Sequence, residues 1–204
     1  MIIKRLHLIL LFSVSQLDGF TQKTDDKYLP EIKAGTLFQY VFKGKNGSDL
    51  NVHGEIISID KGSLAIVDTL KYEGKIQINK TMISKTAMEN ANKMRSPNEQ
   101  PTSAQNGNSL FVLPDDKTDH CFSRRFFKIL NEQKSASYGG ITYNLTPISQ
   151  DLAFKLDGKE VDAIYVVSAN GQKKFWILNN PLYPFILQSA SENVNATLTG
   201  ISNK

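Results

Sequence analysis

"KKFWILNNPLYPFILQSA", residues 173–190, holds the only Trp of the chain and two of its seven Pro. It reads as two strands about a turn. "KKFWIL" (173–178) and "PFILQSA" (184–190) are apolar through their middles, and Asn179-Asn180-Pro181 between them is turn chemistry. Strand alternation puts Phe175 and Ile177 on one face and Lys174, Trp176 and Leu178 on the other. A strand apolar on both faces is covered on both, so the stretch belongs to the core of a sheet. It also holds the candidate ligand contacts: Trp176, Tyr183 and Phe185, with Phe127 from an expected helix. Their rings offer apolar area, and the indole N–H and phenol offer polar handles.

Outward from this stretch the pattern stays that of strands and tight turns. "GITYNLTPI" (140–148), "LAFKL" (152–156), "EVDAIYVVS" (160–168) and "ATLTGI" (196–201) complete the C-terminal third, with hairpin signals at Asp157-Gly158 and Asn170-Gly171. Towards the N-terminus lie "TLFQYVF" (36–42), an Asn46-Gly47 turn, "DLNVHGEIISI" (49–59), "SLAIVDTL" (63–70) and "KIQINKTMI" (75–83). The last alternates cleanly, Ile76, Ile78 and Met82 against Gln77, Asn79 and Thr81, as a strand with one wet face does. The middle differs. "SKTAMENANKM" (84–94) has helical spacing behind a Ser84 cap, and residues 95–108 read as a mobile loop. "SLFVL" (109–113) reads as a buried strand, and Ser123 caps a short helix over 124–133. The expected fold is mainly β: a single curled antiparallel sheet, barrel or half-barrel, with two short helices.

Composition bounds the function. The chain has 204 residues, 40% hydrophobic and 22% charged, enough for one well-buried domain. Its net charge of +4 is spread out, and Lys173-Lys174 and Arg124-Arg125 are pairs, not the stripe that phosphate tracking needs, so no nucleic-acid partner is expected. "MIIKR" and "LHLILLFSVS" have the basic and apolar regions of an export signal over residues 1–21, with cleavage before Gln16 or Gln22. The apolar run is too short to span a bilayer, and no later segment is a transmembrane candidate. Residues 22–204 are then one exported domain, periplasmic or envelope-associated, or secreted. Sequons begin at Asn46, Asn79, Asn144 and Asn195.

Catalytic patterns are thin. The lone Cys121 forms no internal disulfide, and its neighbour His120 points away from it in an extended chain, a poor dyad. "DDKTDH" (115–120) lacks the Gly and bidentate Glu of a Ca²⁺ loop and reads as a solvated turn. No catalytic residue, cofactor or metal site is expected, and no enzyme.

The terminal stretch "KKFWILNNPLYPFILQSASENVNATLTGI" resembles the last strands of a domain-of-unknown-function family of exported Gram-negative β proteins. Phe175-Trp176, Pro184-Phe185-Ile186-Leu187 and Leu198 hold the positions of its aromatic-Trp strand, its Pro-led strand and its closing strand. The resemblance implies a curled antiparallel sheet, distantly similar to the half-barrels of envelope lipoprotein carriers that shelter acyl chains, and carries no catalytic residues. The first functional expectation is therefore a non-enzymatic envelope protein binding a lipid or other apolar or amphipathic ligand on its concave face. The alternatives are a structural or interaction module with a filled core, and a hydrolase whose site gathers residues far apart in sequence.

Overall fold

The computed structural model describes residues 27–44, 49–96, 98–192 and 194–204, so the expected leader and the Asn46-Gly47 turn lie outside the described residues. The first four strands are β1 (Thr36–Gly44), β2 (Asp49–Asp60), β3 (Ser63–Tyr72) and β4 (Lys75–Ile83). The middle holds α1 (Lys85–Asn90), β5 (Lys93–Met94), β6 (Ser103–Gln105), β7 (Asn108–Val112), β8 (Lys117–Thr118) and α2 (Arg124–Gln133). Then come β9 (Ser135–Tyr138), β10 (Ile141–Thr146), a 3-10 turn (Gln150–Leu152), β11 (Lys155–Leu156) and β12 (Lys159–Glu160). The chain closes with β13 (Ala163–Ser168), β14 (Lys174–Leu178), β15 (Ile186–Ala190) and β16 (Val194–Asn203).

Twelve strands make one sheet, in the order β6-β7-β4-β3-β2-β1-β16-β15-β14-β13-β10-β9. The last strand lies beside the first, Tyr40 opposite Leu198, and the outermost strands β6 and β9 do not meet, leaving a curled, open half-barrel. Two-residue turns hold the early meander. Lys61-Gly62 and Glu73-Gly74 both have positive φ at each residue, which matches the right-handed twist of the strands they join. The sheet is antiparallel except where β7 returns alongside β4 in parallel, Met82 opposite Val112.

Local chemistry explains where the elements depart from the expectation. The helix expected over 84–94 stops at Asn90: Ser84 caps it at 3.0 Å, but Asn90 and Asn92 are weak helix formers and Met94 leaves to pair in β5. The segment 95–108, expected as a loop, holds β6, because Asn106-Gly107 turns it back against β7. It is tied to its surroundings by Lys117–Glu99 and Arg95–Asp119, both 2.7 Å. β9 had no signal, since Ser-Ala-Ser-Tyr is scarcely apolar; the turn at Gly139-Gly140 lays it on β10.

β13 and β14 are covered on both faces. Ile164, Val166, Phe175 and Ile177 meet α2, where Phe122 and Phe126 stack at 4.6 Å and Leu130 is fully buried. Ala163, Tyr165, Trp176 and Leu178 face the other way, into the larger core that includes Phe38, Tyr40, Phe154, Leu156, Phe185 and Leu187. Each such buried large side chain contributes about 1.5–3 kcal/mol of transfer free energy.

Candidate functional site

The chain between β8 and α2 lies against residues 184–186, with Cys121 opposite Phe185, and its His120 side chain meets β3. It carries the one strongly perturbed charged group described. His120 has φ +59°, a left-handed bend that costs a non-glycine residue roughly 1–3 kcal/mol. The bend accompanies an imidazole held inside, between the rings of Phe38 at 5.4 Å and Tyr40 at 5.9 Å. Phe38 has room because Gly54 opposes it: a Cβ at Gly54 would lie 1.9 Å from the Phe38 ring. The imidazole Nε2 lies 2.9 Å from Oδ2 of Asp68, a carboxylate on β3 that is 3% exposed. The neighbouring Asp119 accepts from Arg95 Nε at 2.7 Å and from the His120 backbone N–H at 3.0 Å. Two ion pairs therefore sit side by side where the sequence suggested a solvated turn. Asp115 and Asp116 do stand exposed in a turn, but the expectation fails beyond them, because Lys117-Thr118 pairs with β5 and the His120 carbonyl accepts from the Ile186 N–H at 2.9 Å.

Burial alone would lower the His120 pKa. The charges of Asp68 and Asp119 and the hydrogen bond that the ring donates to Asp68 outweigh burial and the opposing Arg95, and raise it to about 9. The ring is an imidazolium at neutral pH, unable to take a proton from a nucleophile. Cys121 is not that nucleophile. Its thiol is fully buried, donates to Met88 Sδ at 3.7 Å, and has its pKa pushed well up by burial. Tyr40, whose pKa burial also raises, donates its hydroxyl to the Ile186 carbonyl. The other chain histidine among the described residues, His53, is exposed on β2. Among the described residues no three His, Cys, Asp or Glu side chains gather to hold a metal ion. Asp68 Oδ1 and Thr81 Oγ1 are buried without a partner.

The four candidate ligand contacts are spread out. Trp176 lies against Tyr165 with ring centres 4.6 Å apart, and its indole N–H donates to the Leu152 carbonyl at 2.8 Å. Phe185 is in the same core, 6.1 Å from Phe38. Phe127 belongs to the α2 cluster. Tyr183 is half-buried, its ring 5.7 Å from the Arg124 guanidinium. Two depressions flank α2: one of about 430 Å³ with Arg124, Phe127, Lys128 and Pro181 in its wall, and one of about 320 Å³ against β9.

A third feature is on the far side of the sheet from these grooves in strand order. On β4, Asn79 and Thr81 are turned inward, towards the face that carries Asp68, while Ile76, Ile78 and Met82 face solvent at 60%, 37% and 43% exposure. Val112 of β7, opposite Met82, is 52% exposed. The alternation expected for β4 is present, with Asn79 and Thr81 buried beside Ile83, Gln77 exposed, and Ile76, Ile78 and Met82 wet.

Sequence reasoning missed the Asp68–His120 pair. Its one signal was Asp68 itself, a single carboxylate within "SLAIVDTL", where an apolar strand has no reason to carry a charge without a partner. The chain matches no protein-family model, no curated protein and no solved structure.

Proposed function

We propose that this is a non-enzymatic, exported envelope protein that works through its surface, with a core filled by its own side chains. The observation that carries the reading is Trp176. A carrier would present such a ring to its cargo, whereas here the ring is taken up by Tyr165 and the indole N–H by a backbone carbonyl. The buried acid–base pair supports the non-enzymatic part, since its histidine is already protonated at neutral pH, the Tyr40 hydroxyl is taken by the Ile186 carbonyl and the Cys121 thiol by Met88. The basic and apolar regions at the N-terminus support export. Kinship with the exported Gram-negative family belongs to the same proposal, and the open curled sheet supports it.

One observation favours a second reading, a small amphipathic ligand. The 430 Å³ depression has Phe127 and Pro181 in its wall with Arg124 and Lys128 at hand for an acidic head. Mass spectrometry of an organic extract of the purified native protein separates the two. We expect no lipid in repeated preparations. A stoichiometric lipid, lost on Phe127→Asp, would replace the surface reading with the carrier reading.

A further inference from the structure

The outward face of β3, β4 and β7 mixes apolar and cationic side chains: Lys80 stands between Ile78 and Met82 along β4, and Thr69 and Asn108 flank Ile78. Paired positions share a face of a sheet, so Val67 and Lys71 of β3, Ile76, Ile78, Lys80 and Met82 of β4, and Leu110 and Val112 of β7 stand together. Among the described residues no ion pair holds Lys71 or Lys80, and no carboxylate is among the positions named. The nearest in the sheet, Glu55 on β2, is opposite Val67 and held by Lys204 at 2.8 Å. Four side chains that a folding chain ordinarily buries are left in water here.

We propose that this face docks on an anionic lipid surface, the apolar row entering the headgroup boundary and the two lysines meeting the lipid phosphates. The proposal rests on the surface-acting reading above and names its partner. Charge selects the occupant. Two copies meeting through the same face by two-fold symmetry would bring like-charged lysines into one interface, which opposes self-association. An anionic bilayer instead offers the apolar boundary and the negative charge together, and each lysine near it strengthens binding about fivefold.

The test places a polarity-sensitive dye on the full chain at Ile76→Cys, with Asn144→Cys on β10 as the distant control; Cys121, fully buried, is spared by the label. Vesicles of phosphatidylcholine with phosphatidylglycerol are expected to blue-shift the dye at position 76 and leave position 144 unchanged. Lys71→Gln with Lys80→Gln should weaken the titration about 25-fold, and added salt should weaken it further. Equal response at both positions, or none at 76, overturns the lipid inference. A shift at 76 that grows with protein concentration without vesicles also overturns it, in favour of a second copy, and leaves the surface reading standing. That reading fails separately, through a stoichiometric lipid in the organic extract that Phe127→Asp removes.

Discussion

The strand pairs β13–β14 and β3–β4 belong to one sheet and use apolar residues in opposite ways. In β13–β14 both faces are apolar and both are covered, one by α2 and the other by the larger core. In β4 the outward face leaves Ile76, Ile78 and Met82 in water, while Asn79 and Thr81 are buried beside Ile83. That inner side is covered because Ile83 shares it with Leu64 and Ile66 of β3, which are in the core, and His120 pairs with Asp68 on the same side. Hydrophobic alternation tells which residues share a face; which face is covered depends on where the rest of the chain goes.

The largest effects should fall where both faces are covered. Trp176→Ala removes the ring between Tyr165 and the Leu152 carbonyl and should cost about 3–5 kcal/mol in urea unfolding. A cost under about 1 kcal/mol would mean that β14 has an uncovered side after all. Asp68→Ala leaves a buried imidazolium with no partner of its own and should cost a comparable amount, about 3–5 kcal/mol. Replacing both partners, as Asp68→Leu with His120→Leu, should restore much of that loss, since the penalty is mostly the stranded charge.

A smaller, graded effect should appear with pH. The His120 pKa is raised in the folded protein, so the stabilisation is whole below the ordinary imidazole value of 6.5 and is lost as pH rises through about 9. Unfolding midpoints across that window should fall in the native chain and stay flatter in Asp68→Asn. The raised Tyr40, Tyr138 and Cys121 groups also favour unfolding in alkali, but only near their ordinary values of 9 to 10 and above. The smallest effect belongs to the bare face. Ile76→Ser and Ile78→Ser should each change stability by about 0.5 kcal/mol or less, because neither side chain leaves water on folding to the extent Trp176 does. A loss of several kcal/mol there would show that this face is covered in solution.

Much of the fold was legible. The strands of the early meander, the α2 span with its Ser123 cap and the opposed faces of Phe175 and Trp176 all follow from local pattern and turn chemistry. The parallel return of β7 was not, because pairing across a crossover leaves no local signal. Nor was the meeting of Asp68 and His120, residues 52 apart in sequence. The burial of Asn79 and Thr81 was hidden as well: the pairing of Ile83 with Leu64 of β3 carries that side of β4 into the core.

One consequence concerns how the protein is made. The sequon Asn79-Lys80-Thr81 lies on β4 with its asparagine 9% exposed and turned towards Asp68. A bulky oligosaccharide attached there before folding could not fit on a side chain that the fold buries beside Asp68. Secretion through a glycosylating host should therefore give a misfolded product that Asn79→Asp rescues, while Asn144 and Asn195, both exposed, would tolerate the sugar. The buried face of β4 thus has no room for a glycan at Asn79.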